Sequence, residues 1–242
     1  MIIRKIIQKG KILWNKRELP QIYSPCDFTK VLVFSPHPDD DCIGLGGTLN
    51  KISKKEVTIV YMTDGSMGHP SIRGKELQKI REKEAYEATE ILGIKDLIFL
   101  NEEDYALKIS KNIVEKTATI IVNKKPEFLF LPFFFDYHKD HKATVEIIGA
   151  AIKKLKLEPQ CWFYETWQPL IPNKIIDISD TINKKIAAIK AHKSQVESVD
   201  YPSKIAGLNS YRSILYSKEM KFAEAFLALT KAEFLKFLRE FY

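Results

Sequence analysis

The sequence is poor in cysteine and has no long apolar run. Its three cysteines, Cys26, Cys42 and Cys161, are odd in number and far apart. That pattern argues against a disulfide framework and against a thiolate zinc site, and it points to a reducing, cytoplasmic compartment. The most apolar stretch, Phe128 to Phe135, is interrupted by Pro132 and is far too short to span a bilayer. The N-terminus lacks the apolar core of a signal peptide. There is no Ser-, Gly- or Pro-rich linker and no internal repeat. A chain of 242 residues that is 45% hydrophobic therefore suits one domain around one large core.

Acidic side chains are missing from residues 1–17, which carry Arg4, Lys5, Lys9, Lys11, Lys16 and Arg17. Ile3, Ile6, Ile7, Leu13 and Trp14 fall near helical spacing in the same stretch. Two readings fit: a basic amphipathic helix lying on an anionic membrane surface, or an N-terminal helix packed on its own domain. Over the whole chain 38 Lys and Arg face 31 acids, a net charge of +7. The excess favours anionic partners such as phosphorylated sugars, or reflects a lysine-rich composition alone. No nucleic-acid-binding signature accompanies it, so no nucleic-acid partner is expected.

From residue 31 apolar strands and helical patterns alternate. Strands are expected over 31–35, 57–62, 96–100, 127–132, near 161–165 and near 174–178. Helices are expected over 43–53, 74–92, 109–124, 140–155, 181–196 and 218–239. Gly93 is placed to cap the second helix. The alternation predicts an α/β fold of Rossmann-like kind, a mainly parallel sheet with helices on both faces. Residues 1–28 read as a basic extension and residues 29–242 as the domain.

Chemistry gathers in two places. The run Phe34-Ser35-Pro36-His37-Pro38-Asp39-Asp40-Asp41 follows a buried-strand pattern and precedes Gly44-Leu45-Gly46-Gly47-Thr48-Leu49, a helix start. Later, His138-Lys139-Asp140-His141 again lies between a strand and a helix. His37 and Asp40 are three residues apart, as are His138 and His141. In a parallel sheet all such junctions share one edge, where ligands bind. One carboxylate and two imidazoles suit a three-ligand metal site with an open position, for zinc or, as a facial triad, for iron(II). Blander roles exist: Asp39 to Asp41 as helix caps, and the histidines as a surface turn. The glycines lack the spacing of a dinucleotide loop and suit close helix–sheet approach instead.

These motifs, in this order, resemble the PIG-L/LmbE-like zinc-dependent N-acetylglucosamine deacetylases. The resemblance extends over about residues 29–230, through Thr63-Asp64-Gly65-Ser66, Arg81 with Glu84, Leu92-Gly93-Ile94, Ala191-His192-Lys193-Ser194-Gln195 and Ala223-Glu224-Ala225-Phe226. One departure stands out: the acid after the Asp pair is usually Glu in the family and is Asp41 here.

The resemblance implies that His37, Asp40 and His141 hold Zn²⁺. It implies that Asp39 acts as general base and His138 as oxyanion stabiliser or acid, with a fourth metal ligand as the other reading of His138. The substrate would be an N-acetylglucosamine-type sugar conjugate. The rival is a catalytically silent, metal-binding sugar-recognition protein. Arg73, Arg81 and Tyr137 are candidate substrate contacts, and Glu165 a weaker one. Arg81 also fits a role supporting Glu84, and Tyr137 a role packing beneath its loop. His192, in a predicted helix, reads as structural, and Glu224, also in a predicted helix, is a weak candidate that equally fits a surface charge. A homo-oligomer is left open.

Overall fold

The computed structural model describes residues 19–241. The amphipathic N-terminal stretch, residues 1–17, lies outside the described residues. Among the described residues, eight strands form one sheet: β1 (Gln21–Ile22), β2 (Lys30–Ser35), β3 (Glu56–Thr63), β4 (Asp96–Glu102), β5 (Phe128–Pro132), β6 (Gln160–Tyr164), β7 (Lys174–Asp177) and β8 (Ala223–Thr230). Their order across the sheet is β1-β7-β8-β6-β5-β2-β3-β4. Every pairing is parallel except those of β8, which runs antiparallel to both β6 and β7.

The helices are α1 (Asp40–Lys51), α2 (Lys75–Leu92), α3 (Lys111–Lys124), α4 (Lys139–Lys153), α5 (Ile182–Ala191), α6 (Lys193–Val196), α7 (Tyr201–Arg212) and α8 (Lys231–Phe241). The strands sort their side chains by parity. Val31 and Val33 of β2 join Leu45, Leu49, Ala88, Ile189 and Ile205, the layer of α1, α2, α5 and α7. Leu32 and Phe34 join Ile113, Val114, Ile148 and Phe234, the layer of α3, α4 and α8. Burial on both faces explains why the strands read as continuous apolar runs rather than alternating ones. The expected mainly parallel α/β sheet, flanked by helices on both sides, is what the chain forms. No helix among the described residues is long and apolar enough to cross a membrane.

The glycine-rich start of α1 permits close packing. A Cβ on Gly44 would lie 2.2 Å from the Tyr164 ring, and one on Gly47 would lie 2.7 Å from Ile178. Gly93 caps α2 in the left-handed conformation, with φ of 82°, as its position suggested.

Three expectations are corrected. The segment expected as a helix over 218–239 divides into strand β8 and helix α8. Ala and Leu favour helix locally, but burial between β6 and β7 decides the outcome. The helix expected over 181–196 breaks at His192, whose ψ of 64° is not helical. Helix α7 was not anticipated; Asp200 caps it, accepting from the Ser203 amide at 3.2 Å. Residues 21–28, assigned to the extension, join the domain: β1 pairs with β7 and Phe28 is fully buried.

Candidate active site

The carboxyl ends of β2 and β5 are neighbours, so the loops that follow them meet. His37 Nδ1 lies 3.0 Å from Asp40 Oδ2, and His141 Nε2 lies 3.1 Å from the same oxygen. His37 Nδ1 and His141 Nε2 are 3.3 Å apart. Three donor atoms thus form a small triangle. Zinc bonds of about 2.0–2.1 Å in tetrahedral array place ligand atoms about 3.3 Å from one another, so the residues fit such an ion.

The remaining ring nitrogens are held from behind. His37 Nε2 faces Asp104 Oδ1 at 3.2 Å and Asp140 Oδ2 at 3.3 Å. His141 Nδ1 faces Asp136 Oδ2 at 3.3 Å and Thr166 Oγ1 at 3.1 Å. A carboxylate behind each imidazole keeps the proton on the outer nitrogen and turns a lone pair inward. Asp136 is itself fixed by the amides of His138 and Trp167, which donate to it at 3.0 and 3.1 Å.

The electrostatics favour positive charge at the triangle. Burial alone would lower His37, but its hydrogen bonds to Asp104, Asp140 and Asp40 raise it well above the usual range. Burial likewise opposes protonation of His141, yet Asp40 and Asp136 carry it to about 9. Against its own burial, Asp40 is held well below the carboxylate range by His141 and His37. Burial would raise Asp104, and the His37 ring holds it at about 2. Carboxylates that favour positive charge on these imidazoles would favour a divalent cation in its place.

Asp39 lies beside the triangle and makes no capping hydrogen bond to α1. It pairs instead with Arg81 Nη2 at 3.0 Å. Burial pushes Asp39 up to about 6, against the pull of that guanidinium. His138 caps α4, its Nδ1 accepting the Asp140 amide at 3.2 Å. A neutral His138 therefore carries its proton on Nε2. Burial, with the His37 and His141 rings beside it, pushes His138 down to about 4. One nitrogen of each of these three histidines lies within 4.8 Å of the others.

The candidate substrate contacts separate. Arg81 does not line an opening: it is 2% exposed and also donates to the carbonyls of Gly65 and Pro38. Glu84 bonds Ser194 rather than Arg81. Arg73 is exposed and donates to the Met67 carbonyl at 2.7 Å. Tyr137 is 77% exposed, not packed beneath its loop. Glu165 is buried and paired with Arg212. Asp41 is fully buried, its carboxylate bonded by Ser35, Tyr61 and Cys42; burial, with Asp39 and Asp40 alongside, pushes it up to about 7. Asp104, Asp136 and Thr166 escaped the sequence reading. Asp104 and Thr166 follow strand ends, and Asp136 lies two residues before His138; that shared sheet edge was the available signal.

The model of the family described as "PIG-L: GlcNAc-PI de-N-acetylase" matches residues 32–152. Diacetylchitobiose deacetylase of Thermococcus kodakarensis is 32% identical over 192 residues, 70% of this chain and 71% of that protein. The chain belongs to the PIG-L family. A probable N-acetyl-alpha-D-glucosaminyl L-malate deacetylase 2 of Bacillus anthracis is 30% identical over 189 residues, 68% of this chain and 80% of that one. Among solved structures, the N,N'-diacetylchitobiose deacetylase of Pyrococcus horikoshii superimposes with a TM-score of 0.75 at 26% identity, covering 96% of this chain and 92% of its own. The motifs at His37–Asp40 and His138–His141 both fall inside the span matched by the PIG-L model.

Proposed function

We propose that the protein is a metal-dependent deacetylase that removes acetyl from an N-acetylglucosamine-type sugar conjugate. The relatives named above as diacetylchitobiose and GlcNAc-malate deacetylases support the reaction class. The observation that carries the reading is the triangle of His37 Nδ1, Asp40 Oδ2 and His141 Nε2, 3.0–3.3 Å on an edge, with Asp39 beside it. His37, Asp40 and His141 would hold Zn²⁺, or Fe²⁺ with the same donors. Such an ion would polarise the amide carbonyl and lower the pKa of water toward about 7.

The chain's own residues supply the proton traffic. Asp39, pushed up to about 6, is ionised at neutral pH yet more basic than an ordinary carboxylate. It takes a proton from the attacking water and returns it to the departing amine, leaving acetate and the free amino sugar. Arg81 holds that carboxylate in place. His138, neutral with its proton on Nε2, donates that proton in a hydrogen bond to the oxyanion of the tetrahedral intermediate.

The test is acetate release from a panel of N-acetylated amino-sugar conjugates, with and without chelator. Chelator-sensitive release is the expected result. A protein that retains zinc but releases no acetate from any of them would be a silent sugar-recognition protein, and the proposal would fall.

A further inference from the structure

We propose that Trp167 and Tyr201 form a stacking platform for a second sugar ring, next to the one that would lose its acetyl group. The inference rests on the deacetylase reading and narrows it to amino-sugar disaccharides or longer chains.

Position comes first. Trp167 follows Thr166, whose hydroxyl touches His141 Nδ1 at 3.1 Å. The Trp167 amide donates to Asp136, the carboxylate behind the same imidazole. Tyr201 opens α7, and its ring meets the indole edge-on, centroids 5.9 Å apart and planes at 83°. Burial, then the charges of Asp39 and Asp40, raises the Tyr201 phenol, so this residue lies in the field of the centre. On the opposite flank, Tyr105 follows β4, and its ring lies 4.7 Å from that of His138. Strands β6 and β4 lie to either side of the β5–β2 pair that supplies the triangle.

Exposure comes second. Trp167 is 52% exposed although its backbone is firmly held. The contact with the Tyr201 ring leaves about half of Trp167 in solvent. The less polar face of a pyranose presents C–H bonds, which suit the negative face of an indole.

Rigidity comes third. Glu165 accepts the Leu170 amide at 2.8 Å, and Arg212 binds both Glu165 and the Leu170 carbonyl, the latter at 2.9 Å. The loop carrying Trp167 is thus closed by a buried acid and its arginine. A ring presented on a fixed loop loses little freedom on binding.

The experiment compares N,N'-diacetylchitobiose with N-acetylglucosamine on the zinc-loaded full chain. The readouts are kcat/KM for each sugar and a direct binding titration by calorimetry. Trp167→Ala should lower the preference for the disaccharide by on the order of tenfold, and mainly through KM. Trp167→Phe should restore most of it, because it returns a ring. Tyr201→Leu, a second variant on a different element, should also lower the preference. Equal preference in wild type and Trp167→Ala would overturn the platform, as would a Phe variant no better than Ala. If the wild type releases acetate from neither sugar, the deacetylase reading fails by itself. The titration then decides the platform: tighter disaccharide binding that is lost in Trp167→Ala supports it, and equal binding of both sugars overturns it.

Discussion

Asp39 and His192 are both buried ionisable side chains, and their surroundings give them opposite work. Asp39 keeps a partner in Arg81 at 3.0 Å and sits beside the donor triangle. Asp39→Asn preserves its shape and removes its basicity. It should retain bound metal while turnover falls by on the order of 10² or more, the scale of a general base. Wild-type turnover in that variant, with metal content confirmed by elemental analysis, would remove Asp39 from the mechanism.

His192 is 1% exposed, and burial, followed by the nearby Arg81 charge, pushes it down from 6.5 to about 3. The folded chain then binds fewer protons at this residue than the unfolded chain between about pH 6.5 and pH 3. Its contribution is fully present above about pH 6.5 and is lost as pH falls through that window, by at most about 1.4 kcal/mol per pH unit. His192→Gln should flatten the acid dependence of urea unfolding between pH 6.5 and pH 5. Identical slopes in the two proteins would show that the ring titrates normally. At this scale the sequence was informative: the histidines and acids stand at strand ends, where the pattern placed them. What it concealed was the second ring of contacts. Nothing local says that Asp104 would reach His37, or Thr166 would reach His141, because those contacts are made only when distant strands pair.

Among the elements, β8 was the least legible. Its run Ala223-Glu224-Ala225-Phe226-Leu227-Ala228-Leu229-Thr230 is rich in good helix formers, and the charge at its second position argues against a central strand. The fold answers that charge fully. Glu224 accepts from the amides of Gly47 and Thr48, from the Thr48 hydroxyl and from Lys185, and both ends of the ion pair are completely buried. One carboxylate therefore fastens β8 to α1, the helix that carries Asp40, and to α5. Lys185→Met would leave Glu224 charged and short of its cation, costing about 3–5 kcal/mol. Adding Glu224→Gln to that variant should recover a substantial part of the loss. Thermal unfolding of the single and double variants checks this; a single variant as stable as wild type would mean that the lysine is dispensable. The break at His192 was hidden for a similar reason. Residues 182–196 have helical spacing throughout, but Glu84 of α2 takes the amide and hydroxyl of Ser194, and α6 starts anew from that contact.

For the molecule as a whole, the parallel topology brings the loops after β2, β4, β5 and β6 to one edge, and this much was evident from the alternation of strands and helices. A cation bound to the folded chain but not to the unfolded one must raise stability, by about 4 kcal/mol at a thousandfold excess over Kd. Zinc added to metal-free protein should raise Tm by several degrees. His141→Ala should abolish that shift, whereas Asp39→Asn should keep it. A full shift in His141→Ala would take this residue out of the ligand set.

The donors of the triangle are divided along the chain: His37 and Asp40 precede the exposed stretch at 108–110, and His141 follows it. Severing the backbone there would yield two pieces, each with an incomplete grip on a cation. Mixing them should restore chelator-sensitive turnover only as β2 of one piece zips against β5 of the other. The protein would thereby serve as a fragment-complementation reporter in which catalysis counts strand pairing.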